Sequence, residues 1–267
     1  MIHWLRRQRP APLLPDSLWL PLLQRHRFLK QLSELEALRL RALTVEFLRV
    51  KRFHGAHGLV ITDAIAASIA AQAVLPLLHL EAERTPAAAL RWYHDFVGIV
   101  VHADEVLARR EVVDDSGVVH RFQEMLTGEA MDGGPVMLSW RDVAAADSTA
   151  AHGYNVVVHE FIHKIDLCDG LADGCPPLPV GFLGASSQRA ARAAWMAVFE
   201  PAYVAFCEQT VLAERFGEKP SWLDAYGAQA PAEFFAVACE AYFVNRPRFT
   251  ADFEALSNLF DAFFRPR

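Results

Sequence analysis

The segment Asn155-Val-Val-Val-His159-Glu160-Phe-Ile-His163-Lys-Ile-Asp166 places two histidines four residues apart, with a glutamate directly after the first. On a helix, side chains at i and i+4 leave one face a single turn apart, so both imidazoles can close on one tetrahedral metal ion. Glu160 lies one step round that helix, where it reaches a metal-activated water without ligating the metal, and this suits a general base. Among 267 residues with eleven histidines, a chance HExxH arises in roughly one to three sequences per hundred. The surroundings must therefore carry the assignment. Asn155 is a fitting N-cap, Val157, Val158, Phe161, Ile162 and Ile165 make the opposite face apolar, and Gly170 ends the run.

A catalytic zinc needs a third protein ligand and an open fourth position. In the pattern HExxHxxGxxH/D that ligand would be Asp169, but the turn glycine would have to stand at position 166, which is Asp. The alternative is a glutamate on a separate downstream helix. Pro231-Ala-Glu233-Phe-Phe-Ala-Val-Ala-Cys-Glu240 offers two, seven residues apart and so on one helical face. Glu233, in the first turn after Pro231, is the expected ligand. Glu240, deeper in an apolar run, either holds a ligand histidine from behind or makes a plain structural contact. Asp166 likewise either orients an imidazole or caps the helix. Tyr226 precedes Glu233 by seven residues across a turn, so it is either a hydrogen-bond donor to an oxyanion or a buried structural tyrosine.

Positioning these groups requires helices with fixed register. Ser33 and Glu36 have capping-box spacing before Leu35, Leu38, Leu43, Phe47 and Leu48, which predicts a long amphipathic helix over about 33–51. Val60-Ile61 reads as a short strand, and Thr62 or Asp63 as the cap of an alanine-rich helix to Leu75. Residues 95–103 read as a central strand, residues 112–122 as a hairpin turning at Asp115-Ser116-Gly117, and residues 135–140 as another strand. That last strand lies just before the HExxH helix, where an edge strand would pair an extended substrate. Helices follow at about 155–168, 187–214, 231–244 and 250–264. Helices flanking one small mixed sheet make the expected class α+β.

Composition narrows the remaining choices. A chain 53% apolar and 22% charged is neither disordered nor collagen-like, and its length suits one large core. We expect a single domain over 1–267, with a basic helical arm at 1–52, a core at 53–245 and a Phe-rich C-terminal helix at 246–267. The net charge of −6 argues against direct nucleic-acid or membrane binding. Its distribution is uneven: residues 1–52 hold 11 Lys/Arg against 4 Asp/Glu, leaving 15 against 28 for the rest. The arm is either a solvated helical face packed on an acidic body or a docking site for an anionic partner. Four cysteines without a CxxC pair, no membrane-length apolar run and charges in place of a signal-peptide core point to the cytoplasm.

The stretches Lys51-Arg-Phe-His-Gly55, Ile69-Ala-Ala-Gln-Ala-Val-Leu75, Gly134-Pro-Val-Met-Leu-Ser-Trp140, His152 to Asp166 and Pro231-Ala-Glu-Phe-Phe-Ala-Val237 resemble the Mlc titration factor A family of bacterial zinc-dependent peptidases. The resemblance spans most of residues 33–245. It implies a zincin-type core similar to the anthrax lethal factor protease domain, with one Zn²⁺ per chain held by His159, His163 and Glu233. It further implies Glu160 as general base and Tyr226 as the active-site tyrosine. Members of the family show aminopeptidase-type activity on peptides, and one binds the glucose-responsive repressor Mlc, keeping it from DNA. No residue of this chain can be matched to that second property. The C-terminal phenylalanines lie mostly outside the resemblance and are either core packing or a docking helix.

Overall fold

The computed structural model describes residues 14–80, 85–104, 106–113, 119–126, 128–130 and 133–266. Three helices open the chain: α1 (Asp16–Arg25), α2 (Arg27–Lys30) and α3 (Glu34–Val50). The capping box forms at Ser33: its Oγ accepts from the Glu36 amide at 3.3 Å, and its own amide donates to Glu36 Oε2 at 2.8 Å. Trp19, Leu22, Phe28, Leu29, Leu40, Leu43 and Phe47 carry these helices into the core. Arg25 donates to Ala144 O and Arg27 N to Asp147 Oδ1, so the described part of the basic arm is packed on the body. Residues 1–13 of the arm lie outside the described residues.

The chain then enters β1 (Arg52–Gly55), not a strand at Val60-Ile61; Val60 is 76% exposed. The buried ammonium of Lys51 explains the earlier start. It donates to Tyr93 O and Phe96 O, and the Arg52 amide to Val97 O, which draws this segment onto the strand that follows residue 97. Gly55 is required because the loop folds straight back over it: a Cβ there would lie 1.8 Å from Leu59 O. Thr62 then caps α4 (Asp63–Ala73), whose alanines allow close packing, and α5 (Pro86–Ala89) follows.

The sheet has the order β1, β2 (Gly98–His102), β6 (Val136–Ser139), β5 (Gly128–Ala130). The first two pairings are parallel and the last is antiparallel. Strands β3 (Val106–Val113) and β4 (Val119–Leu126) form a separate antiparallel ribbon, and the expected turn at 115–117 lies outside the described residues. Strand β6 is not an edge: short β5 turns back and pairs Gly128 with Leu138 and Ala130 with Val136, so the sheet ends on β5.

Helices α6 (Trp140–Thr149), α7 (Val156–Asp166), α8 (Gln188–Phe216) and α9 (Pro231–Val244) complete the body. The expected terminal helix is two, α10 (Arg246–Asp252) and α11 (Glu254–Phe264), because Phe253 leaves helical geometry at φ −133° and ψ 53°. The break folds Phe260 onto Phe249, rings 5.7 Å apart and 9° from parallel. Phe249, Phe260, Phe263 and Phe264 are buried around Trp195, Phe235 and Tyr242, so the C-terminal aromatics are core. The described residues are thus α+β, mainly helical with one small mixed sheet and a two-stranded ribbon. Among the described residues no helix is long and apolar enough to cross a membrane.

His26, between α1 and α2, is fully buried. Burial, helped by the charge of Arg25, lowers its pKa to about 4. The unfolded chain therefore binds the additional proton between about pH 6.5 and 4, so stability falls as pH drops through that window. Replacing His26 with Phe should flatten the slope of thermal midpoint against pH between 6.5 and 4, measured by circular dichroism.

Candidate metal centre

Helix α7 forms because Asn155 caps it, its Oδ1 accepting from the Val158 amide at 2.9 Å. Its apolar face is fully buried: Phe161 meets Phe47, Tyr93 and Phe96 at ring separations of 5.5, 5.0 and 5.8 Å. Lys164 is buried too, its ammonium 2.8 Å from Asp95 Oδ2 and 3.3 Å from Gly134 O. A lysine on the dry side of a helix needs such partners, because an unpaired buried charge is costly. This tie between α7 and the loop before β2 has no motif in the sequence; only the charge at an apolar position hints at it.

Opposite that face stands α9, with Pro231 in its first turn and Glu233 just inside it. Three atoms converge between the two helices. His159 Nε2 and His163 Nε2 are 3.1 Å apart, and Glu233 Oε2 lies 3.1 Å from the first and 3.2 Å from the second. Three ligands at 2.0–2.1 Å from a tetrahedral ion stand about 3.4 Å from one another, so the triangle is close to ligation size. Two imidazole nitrogens and one carboxylate oxygen suit a borderline divalent metal. Among the described residues these three form the sole His/Cys/Asp/Glu group able to hold a metal ion.

Glu240 occupies the other end of the His159 ring, its Oε1 2.7 Å from Nδ1. With a metal on Nε2, the imidazole would keep its proton on Nδ1 and donate it to Glu240. Glu233 and Glu240, two turns apart on α9, hold one histidine at both nitrogens. The second oxygen of Glu240 accepts from the Asn155 amide.

The local field favours a cation. Burial opposes ionisation of Glu233, yet hydrogen bonds from His159 and His163 hold its carboxyl well below the ordinary range. Burial also opposes a charged His159, but the Glu240 carboxylate and the hydrogen bonds to Glu233 and Glu240 outweigh it and raise its pKa. Burial and the neighbouring His159 push His163 down against its hydrogen bond to Glu233, which favours the neutral imidazole, the form that can ligate a metal.

The remaining sequence candidates are placed as follows. Glu160 is 4% exposed and its charge acts on His159. Tyr226 sits in the tight turn Ala225–Ala228, its amide held by Asp224 Oδ1 at 2.9 Å, with its ring centre 6.0 Å from that of His159. Asp166 is fully buried and accepts from the Gly174 amide at 2.9 Å. That bond anchors the loop after α7 and does not reach an imidazole. Burial lifts its pKa to about 7 against the pull of that amide.

The family model for glucose-regulated metallo-peptidase M90 matches residues 1–265. The chain is 33% identical to Mlc titration factor A of Edwardsiella ictaluri, an alignment covering 99% of this chain and 93% of the relative. It is 32% identical to the proteins of the same name from Serratia proteamaculans, over 94% and 85% of the two chains, and Klebsiella pneumoniae, over 89% and 82%.

A metal held only by the folded chain stabilises it by mass action. At a free concentration about 100 times the dissociation constant, a divalent metal should add ~2.7 kcal/mol, read as a rise in thermal midpoint. His163→Ala should abolish that rise.

Proposed function

The chain belongs to the glucose-regulated metallo-peptidase M90 family, and from that premise we propose that it is a zinc-dependent peptidase of aminopeptidase type acting on peptides or proteins in the cytoplasm. The observation that carries the reading is the triangle of donor atoms from His159, His163 and Glu233, 3.1 to 3.2 Å apart, with Glu160 buried beside it. These three residues hold one Zn²⁺ in a single domain spanning the chain. When bound, the ion supplies Lewis acidity, which acidifies water and polarises a scissile carbonyl.

The rest of the chemistry falls to side chains. Glu160 removes the proton of the attacking water and passes it to the leaving amine, a transfer that contributes about 10²–10⁴ in rate when the base is well placed. Tyr226 donates a hydrogen bond to the oxyanion that develops on the substrate carbonyl. Glu240 keeps His159 in the ligating tautomer, and Asp166 holds the loop that follows α7. Because β5, and not β6, ends the sheet, an extended substrate would pair along β5.

The name shared by the curated relatives supports a second role, capture of a repressor of the Mlc type. A repressor complex that survives removal of the metal would make binding, and not hydrolysis, the principal function.

Glu160→Gln should retain zinc in metal analysis and lose about 10²–10⁴ of kcat. Tyr226→Phe should lower kcat by about 10²–10³, the loss found for a missing oxyanion donor. A panel of peptides with free and blocked N-termini checks the exopeptidase assignment: cleavage of blocked peptides at equal rate would refute it. Full activity in Glu160→Gln would remove Glu160 as the base.

A further inference from the structure

A chain of buried polar groups leads from the metal triangle into a helix with no ligand of its own. Gln72 lies on α4 among Ala70, Ala71 and Ala73, all fully buried. A buried carboxamide costs stability unless its polar atoms are satisfied, and those of Gln72 are. Its Oε1 accepts from Asn155 Nδ2 at 2.8 Å, and its Nε2 donates to Ser68 O at 3.1 Å and Ser68 Oγ at 3.3 Å.

Each link in this chain has a direction. Because Ser68 O accepts, Gln72 must present its amine to Ser68 and its carbonyl oxygen to Asn155. Asn155 must then turn its own amine toward Gln72, which leaves Oδ1 to cap α7 at Val158 N. In that pose the backbone N–H of Asn155 donates to Glu240 Oε2, and Glu240 Oε1 accepts a hydrogen bond from Nδ1 of His159. A hydrophobic side chain at position 72 would fill the space but would not select either amide orientation.

We propose that Gln72, through the carboxamide of Asn155, is a positioning residue for the metal ligand His159. The inference rests on the metal-site reading above. The hydrogen bonds of Gln72 go to Ser68 and Asn155 and do not reach the metal triangle. It acts by holding the acceptor that holds the ligand, as outer partners of metal-bound histidines do.

The test uses cobalt(II) as probe, with competition against a chromophoric chelator and the visible absorption of the loaded protein. Gln72→Met removes both amide functions at similar volume. Asn155→Ser replaces the carboxamide with a hydroxyl that is itself a good helix cap, so the amine that reaches Gln72 is lost while the cap is kept. Each should weaken cobalt binding about tenfold, the lower end for outer-shell partners, and should shift the visible bands. The double variant should be no weaker than the worse single, because both remove one link.

Wild-type affinity and spectrum in both variants, with only a lowered thermal midpoint of the metal-free protein, would overturn the proposal. Additive losses in the double variant would overturn it as well. If Gln72→Met does not fold, Asn155→Ser decides alone. His163→Ala separates the two levels: cobalt binding equal to wild type in that variant would refute the metal site itself, whereas its loss there with full affinity in Gln72→Met and Asn155→Ser would refute only the positioning role.

Discussion

The imidazole of His159 is gripped at both ends by one helix, Glu233 at Nε2 and Glu240 at Nδ1. That grip is the constraint on which the site depends. Two carboxylates two turns apart on α9 can serve one ring only if α7 and α9 keep their register to within a few tenths of an ångström, the tolerance of a hydrogen bond. Seventy residues separate His163 from Glu233 along the chain, so no local interaction sets that register. The close-packed core does, with Phe161 of α7 wedged among Phe47, Tyr93 and Phe96, and Phe235 of α9 against Trp195 and Phe260. Close-packed interiors resist small displacements, which is the rigidity ligation needs.

The same geometry is expensive without a cation. Glu160, Glu233 and Glu240 bring three carboxyl groups to two histidines in a largely dry seam. Buried charge is tolerated when it is paired and fully hydrogen-bonded. Here pairing is provided in part by hydrogen bonds between imidazole and carboxylate, and a divalent ion held by the triangle would complete it. The acidic body that the charge distribution predicts therefore has a local counterpart, although most of its 28 acidic residues lie elsewhere.

Much of this is legible in the sequence alone. The HExxH helix, its Asn155 cap, the capping box at Ser33 and the central strand follow from short-range rules, because period, caps and turn residues act within a few positions. The errors have one cause. Val60-Ile61 has strand-forming residues, but Lys51 binds the carbonyls of Tyr93 and Phe96 and starts the strand at Arg52. The C-terminal phenylalanines read as one helix, yet packing on Trp195 and Tyr242 breaks it at Phe253. Strand β6 reads as an edge from the sequence, but β5 pairs with it, Gly128 opposite Leu138 and Ala130 opposite Val136, and ends the sheet in its place.

The sequence by itself determined the chemistry on offer: two imidazoles one turn apart, a carboxylate beside them, and a choice of two downstream glutamates. Only the tertiary structure divided the work between those glutamates, assigning Glu233 to the triangle and Glu240 to the back of His159. It also gave Asp166 to the Gly174 amide and linked Gln72 to Asn155. The physical reason is range. Helical spacing is written in neighbouring residues, whereas a hydrogen bond between groups 8 to 85 positions apart exists only once the core has fixed how the elements pack.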